Sequence, residues 1–281
     1  MKELTRSCLP EAAARELAWC YARLEHPSFA ARLSDLLATP VDGAIKLFPP
    51  AWRRRLANGT ESSMRRALEV AIGSMGRQGP VPASLWRHRL MVMGTGAVGG
   101  FFGPLTVLAE LPLATVLMLR AIADTARAEG EDIHGDPEAR LACVQVFALG
   151  GRTRDDEDAE IGYYGMRLSL GLHFENLLEY TGSSALPHIP AAIQLVRAVA
   201  ARFGVVISDK VAAQLVPVAG AFSAAAVNLA FMQHYQDVAR GHFVLRRLER
   251  DHGVERVRAA YEAMRLRAAK PKREFSPIEG W

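Results

Sequence analysis

Apolar residues recur at helical spacing along most of the chain, and the alternating pattern of β-strands is nearly absent. A face of apolar residues at intervals of three or four indicates an amphipathic helix. The first such helix is predicted to begin at Pro10 and to bury Ala13, Leu17, Cys20 and Leu24. The sequence therefore predicts an all-α fold.

Proline, glycine and capping residues predict where further helices begin and end. Asp136-Pro137-Glu138 combines a cap, a proline at the first helical position and an acid in the first turn, and predicts a helix that ends at Gly150-Gly151. Other helices are expected at Glu61 to Met75 with Thr60 as cap, at Tyr163 to Tyr180, at Pro190 to Gly204, and after Ser208 as a further cap.

Two stretches of the chain are almost free of charge. The first, Leu90 to Leu119, carries only Glu110 as a formal charge, and Pro112 is expected in the first turn of the helix that follows. The second, Val211 to Gln236, is interrupted by one proline and one glycine. We expect a single helical domain built around these two Gly/Pro-interrupted apolar elements.

The first apolar stretch contains Gly94, Gly96 and Gly99, which can be read as a G-x-G-x-x-G nucleotide fingerprint. Pro104 would lie inside the helix that such a site needs, at a cost of about 3 kcal/mol. Overlapping G-x-x-x-G pairs instead favour close packing of helix backbones. Leu90 to Ala109 is also about as long as a bilayer core is thick. A buried or re-entrant element is favoured over a membrane-spanning helix, and the spanning helix stays open as an alternative.

Polar side chains on the apolar elements need partners, because an unpaired buried amide costs about 1 to 3 kcal/mol. The predicted buried cluster, a candidate ligand-binding set, consists of Glu110, Asp124, Asn228, Gln233, His234, Asp237 and Arg240. One hypothesis makes its carboxylates and histidine a metal or acid–base site. The other, which is favoured, makes them ion-paired struts, since no E-x-x-H spacing is present. The sequence assigns no catalytic or metal-binding residue.

Positive charge is concentrated near the C-terminus. Between Arg240 and Arg273 stand eleven lysines or arginines against four acids, whereas the whole chain has a net charge of +4. Such a block favours an anionic membrane surface, at roughly 1 kcal/mol per cation near the head groups. A solvated helix face is the plainer explanation. Nucleic acid is not expected as a partner, because no stacking aromatics accompany the charges.

The cysteines and the N-terminus indicate the compartment. Cys8, Cys20 and Cys143 are widely spaced without a C-x-x-C motif, which is typical of a reducing compartment. Charged residues occupy the N-terminal positions where a secretory signal needs an apolar core. We therefore expect a cytoplasmic location.

Three segments, taken in order, resemble the bacterial EcsC family: Gly94 to Ile133, Pro137 to Gly151, and Ala224 to Gly253. The most specific parts are A-V-N-x-x-F at Ala226 to Phe231 and D-V-A-R-G-H-F at Asp237 to Phe243. The resemblance covers roughly Leu85 to Tyr261. It implies an α-helical bacterial protein, cytoplasmic or associated with the inner membrane and linked to transport or secretion, and it transfers no catalytic residue or cofactor.

These observations predict three regions: amphipathic helices over residues 1–84, an EcsC-like helical core over 85–266, and a basic tail over 267–281. The expected function is that of a non-catalytic, peripheral inner-membrane protein. Its partner would be lipid, an integral-membrane protein of transport or secretion, or a small molecule, and no cofactor is expected. The alternative is a soluble hydrolase with a buried carboxylate and histidine site, with or without a metal.

Overall fold

The computed structural model describes residues 9–25, 29, 49–51, 54–63, 106–151, 162–178, 190–214 and 221–269. Every regular element in these ranges is a helix, which confirms the all-α class. Residues 54–63 are helical. The longer helices are α1 (Glu11–Leu24), α2 (Thr106–Ala128), α3 (Pro137–Leu149), α4 (Tyr163–Leu178), α5 (Pro190–Gln214), α6 (Ala221–His252) and α7 (Val254–Ala269).

Two helices follow the local sequence rules closely. The four apolar residues predicted for the inner face of α1 are all buried. At the start of α3, the Asp136 side chain accepts a hydrogen bond from the backbone N–H of Glu138 at 2.8 Å, and Pro137 takes the first helical position. Gly150 forms the C-cap of α3. The expected helix between the Asp136 cap and Gly150 is therefore confirmed.

Pro112 lies inside α2, so the prediction that it occupies the first turn is wrong. The helix begins six residues earlier, at Thr106. A proline in a helix interior removes one backbone hydrogen bond. The inner face of α2 is fully buried after the proline, and this packing offsets the lost bond; its members include Ala114, Met118, Ala121 and Ile122.

Two predicted caps are also wrong, because both residues lie in helix interiors. Helix α5 passes through Gly204, and the Ser208 hydroxyl donates to the carbonyl of Gly204 at 2.7 Å. The Thr60 hydroxyl donates to the carbonyl of Leu56 at 2.9 Å. Serine and threonine satisfy their hydroxyls in this way inside helices. The buried face of α5 continues beyond the glycine and explains why the helix does too: Phe203, Val206, Ile207 and Val211.

Helix α6 is the centre of the described fold and contacts α1, α2, α3, α5 and α7. An aromatic cluster joins it to α3 and α5, with ring centroids 4.9 to 5.7 Å apart in the closest pairs. Its members are Phe147, Phe203, Phe231 and Tyr235. The second apolar stretch of the sequence is divided between the end of α5 and the start of α6.

Close backbone packing occurs where α3 ends. A Cβ atom on Gly150 would lie 2.6 Å from Cε1 of Tyr235, and one on Gly151 would overlap the backbone carbonyl of Arg202. Glycine is needed at both positions because a side chain would separate α3 from α5 and α6. The glycine-rich run 94–103, for which such packing is predicted, lies outside the described residues.

Candidate anion-binding groove

In the described contacts of the predicted polar cluster, the partner residues lie outside the cluster. His234 on α6 is buried, and its Nε2 donates to the carbonyl of Gly150 at 2.6 Å. This bond caps the C-terminal end of α3. Asp124 forms an ion pair with Arg127, one turn further along α2. Both contacts have a structural role.

The remaining members of the cluster lie at different depths. Arg240 is exposed, with its guanidinium 5.5 Å from the ring centre of Trp19 on α1. Asn228 is buried, and Gln233 and Asp237 are half-buried. Glu110 lies in α2, and its side chain is outside the described residues. As a ligand-binding set, these residues stay a prediction.

The described part of the chain shows how its candidate metal ligands and its thiols are placed. It holds no group of three or more histidines, cysteines, aspartates or glutamates placed to bind a metal ion. Burial, followed by the charge of Glu16, raises the pKa of Cys20 to about 12, and burial raises the pKa of Cys143 to about 12. Both thiols are therefore protonated and poor nucleophiles at neutral pH.

Arginines of α6 pair with a carboxylate that follows α2, and we call Glu131, Arg246 and Arg250 the Glu131 cluster. Nε and Nη2 of Arg246 donate to the two carboxylate oxygens of Glu131 at 2.8 and 3.1 Å, and Arg250 donates to the same carboxylate. The remaining nitrogen of Arg246 donates to Glu138 at 3.3 Å. All three guanidinium nitrogens of Arg246 are thus bonded.

The Glu131 cluster is buried and ionised. The side chain of Glu131 is 4% exposed and that of Arg246 is 11% exposed. Burial alone would raise the pKa of Glu131, but hydrogen bonds and charges from the two arginines outweigh it and hold this pKa below its ordinary value of 4.5. Arg247 is paired similarly with Glu129 at 2.8 Å. Much of the basic block on α6 therefore neutralises internal carboxylates.

A cavity of about 340 Å³, which we call the groove, opens between α3, α4, α6 and α7. Leu141 and Ala142 of α3 form a buried apolar part of its lining, and Gly171 lines it from α4. Leu168 and Val254 also line the groove but are 63% and 52% exposed, so they lie at its mouth. The groove thus has an apolar wall on α3 and an apolar rim.

One wall of the groove is a hydrogen-bonded charge pair between α4 and α6. Nη1 of Arg167 donates to both oxygens of Glu249 at 2.9 and 2.7 Å, and the Tyr164 hydroxyl donates to Glu249 at 2.8 Å. The carboxylate is 4% exposed. Because several hydrogen-bond donors hold the carboxylate, the side chains of this wall have fixed positions relative to a molecule bound in the groove.

A neutral histidine lies next to this wall. His242 Nδ1 is hydrogen-bonded to the Tyr163 hydroxyl at 2.8 Å, and His242 is fully buried. Burial, together with the charges of Arg167 and Arg246, lowers the pKa of His242 well below its ordinary value of 6.5. Nε2 of His242 has no hydrogen-bond partner among the described residues. The ring is therefore uncharged at neutral pH.

Two further polar groups line the groove without being paired in the described part of the chain. Gln145 on α3 is 5% exposed, and its amide makes no hydrogen bond to a described residue. Arg258 on α7 is exposed, lies 5.7 Å from the ring centre of Tyr164, and forms no ion pair with a described residue. A polar molecule in the groove would find an amide and a guanidinium available.

Sequence reasoning missed the groove because its wall joins residues that are distant in the chain. Arg167 and Glu249, for example, are 82 positions apart. One signal was present: Gln145 is the lone polar residue in the apolar run from Leu141 to Leu149. Such a residue requires a partner if its helix is buried. The predicted polar cluster includes such residues from the stretch Val211 to Gln236 but none from α3.

Comparison with known proteins identifies the family. Among the described helices, none is both long and apolar enough to cross a membrane. No curated protein and no solved structure matches the chain. The model of the EcsC protein family matches residues 58–248, beginning earlier than the expected resemblance and covering α2 to most of α6. The chain therefore belongs to the EcsC protein family.

Proposed function

We propose that this protein is a peripheral membrane protein that attaches to anionic lipid at the cytoplasmic face of the inner membrane through α7 and the mouth of the groove. The observation that carries the proposal is that Arg258, which forms no ion pair with a described residue, lines the groove together with the exposed side chains of Leu168 and Val254. Family membership and the helical fold are compatible with this role but do not specify it.

Cationic side chains on α7 supply the electrostatic part of the attachment. Arg256, Arg258 and Arg267 are exposed and form no ion pair with residues in the described ranges. They differ in this respect from the arginines of the Glu131 cluster. At roughly 1 kcal/mol per cation near anionic head groups, the three together would contribute about 3 kcal/mol to membrane partitioning.

Apolar side chains at the same surface supply the hydrophobic part. In the described ranges, four large hydrophobic residues are exposed, and three of them lie on α4 or α7: Leu168, Val254 and Leu266. The fourth, Leu113, lies on α2. Apolar side chains beside cations are the combination that favours binding in the interfacial plane of a bilayer.

Sedimentation of the full chain with lipid vesicles tests the proposal. We expect pelleting with vesicles of phosphatidylcholine and phosphatidylglycerol, little pelleting with phosphatidylcholine alone, and weaker binding at high salt, because salt screens exposed charges. The triple variant Arg256→Ala, Arg258→Ala and Arg267→Ala should partition about a hundredfold more weakly.

A matched control removes the same number of charges from other helices. Arg54 and Arg55 on residues 54–63 and Arg120 on α2 are likewise exposed and form no ion pair with a described residue. The triple alanine variant at these positions should pellet almost as wild type does. An equal loss in both triple variants would refute the proposed surface. Binding to native membranes but not to lipid vesicles would indicate an integral-membrane protein partner instead.

A further inference from the structure

We propose that the groove binds the head group of a single anionic phospholipid whose phosphodiester carries a hydroxyl-bearing substituent, as in phosphatidylglycerol. This inference rests on the proposed membrane attachment and adds a discrete site to it. Attachment would then discriminate between lipids of equal charge, which surface electrostatics alone cannot do.

The volume of the groove suits a head group rather than a whole lipid. At about 340 Å³ it lies at the lower end of the range of roughly 300 to 1,000 Å³ found for small-molecule sites. Leu168 and Val254 at the mouth are positioned to contact the apolar part of a lipid whose polar part is inside. An amphipathic ligand therefore matches both the interior and the rim.

The charges that line the groove favour one negative charge on the ligand. Glu249 is bonded to Arg167, and Glu138 is bonded to Arg246. Arg258 then remains as a cation without an acidic partner among the described residues. A phosphodiester carries one negative charge, whereas a phosphate monoester carries about 1.5 to 2 at pH 7. The match is therefore to a diester.

The buried amide of Gln145 provides the second, independent indication of a ligand. The residue is 5% exposed and lines the groove, yet its amide has no hydrogen-bond partner among the described residues. Its amide atoms are not among the fully buried unpaired atoms, so they face the open space of the groove. An amide both donates and accepts, so it suits a hydroxyl group, which does the same. A glycerol substituent on the phosphodiester supplies such hydroxyls.

Two variants separate the groove from general electrostatics without changing the net charge. A Cβ atom on Gly171 would meet nothing within 4 Å, so Gly171→Leu places a side chain in open space beside the groove. Gly204 on α5 is a matched control, because it too has nothing within 4 Å and lies outside the groove. Gln145→Met removes the amide while keeping the length of the side chain.

Calorimetric titration of the full chain with glycerophosphoglycerol, the deacylated head group of phosphatidylglycerol, measures the site without a membrane. We expect binding to wild type and to Gly204→Leu, at least tenfold weaker binding to Gly171→Leu, and threefold to tenfold weaker binding to Gln145→Met. Inorganic phosphate should bind much more weakly than the head group. Vesicles with phosphatidylglycerol should bind wild type better than vesicles with phosphatidylserine at equal charge.

The outcomes distinguish this inference from the proposed function. If vesicles pellet wild type and Gly171→Leu alike while the soluble head group binds neither, attachment stands and the groove site is overturned. Inorganic phosphate that binds as tightly as the head group also overturns it, since the site would then take any phosphate. If the head group binds but no vesicle pellets the protein, membrane attachment is wrong and the selectivity of the groove for a phosphodiester stands.

Discussion

The Glu131 cluster and helix α7 both contain arginines, but Arg258 of α7, which lines the groove, differs from the arginines of the cluster in what it contacts. In the Glu131 cluster, every guanidinium nitrogen of Arg246 is bonded to a carboxylate oxygen. In the groove, Arg258 has no acidic partner among the described residues. Positive charge in a sequence therefore indicates a binding surface only where the fold leaves it unpaired.

The difference follows from what each element packs against. The last turns of α6 lie beside the acidic turn that contains Glu129 and Glu131, so their arginines are paired internally. Helix α7 packs against α1 and α6, and its other face is exposed. Among the described residues, the basic block thus contains arginines that are paired internally, such as Arg246 and Arg247, and arginines without an acidic partner, such as Arg256 and Arg258.

The largest expected effect comes from breaking the Glu131 cluster. Glu131→Gln leaves Arg246, which is 11% exposed, without its main counter-charge. Removing one partner of a buried pair typically costs about 3 to 5 kcal/mol, and the partial exposure of Arg250 places this case near 3 kcal/mol. Urea denaturation would measure the loss. A loss below 1 kcal/mol would show that the cluster is not structural.

The pH dependence of stability gives the next effect. Because the pKa of Glu131 in the folded protein is below 4.5, its contribution is fully present above pH 4.5 and is lost as the pH falls through the folded value. Each proton taken up on unfolding changes stability by about 1.4 kcal/mol per pH unit. The wild type should therefore lose stability more steeply than Glu131→Gln below pH 4.5 in urea titrations. Parallel curves would contradict this assignment.

Helix α3 reaches both regions, with Glu138 at the cluster and Gln145 in the groove. Asp136→Ala removes its N-cap and should cost about 1 kcal/mol of unfolding free energy. Asp136→Asn keeps the capping oxygen and should recover most of that loss. Thermal unfolding of the wild type and the two variants would measure these losses. An equal loss in both variants would mean that the charge of Asp136, rather than its capping hydrogen bond, stabilises the helix.

The smallest expected effect on stability comes from the groove. Arg258→Ala removes an exposed side chain without an acidic partner among the described residues, so unfolding free energy should change by less than about 0.5 kcal/mol. Binding of glycerophosphoglycerol should nevertheless fall about tenfold. A large loss of unfolding free energy without a change in head-group binding would show that Arg258 stabilises the fold and does not bind the ligand.

Local sequence signals predicted α1 and α3 because caps and apolar spacing act within a few residues. They failed at Gly204 and Pro112, where the packing of a long apolar face outweighs an unfavourable residue. The buried residues Val206 and Val211 follow the helical spacing of the sequence, which continues past the glycine.

The groove could not be predicted in the same way. Its wall depends on the pairing of Arg167 with Glu249, and its charge depends on which arginines of the basic block find partners elsewhere. Both are properties of the tertiary fold. The sequence predicts a basic block that favours an anionic membrane surface, whereas the separation of paired from unpaired arginines depends on the tertiary fold.

The most direct test compares two exposed leucines on different faces, Leu168 at the groove and Leu113 on α2, which are 63% and 52% exposed. Each is replaced by cysteine in a Cys8→Ser background and labelled with an environment-sensitive fluorophore, since the buried thiols of Cys20 and Cys143 have a pKa near 12. On adding phosphatidylglycerol vesicles, the label at 168 should shift to shorter wavelength while the label at 113 stays unchanged. A shift at 113 alone, or at neither position, would contradict the account.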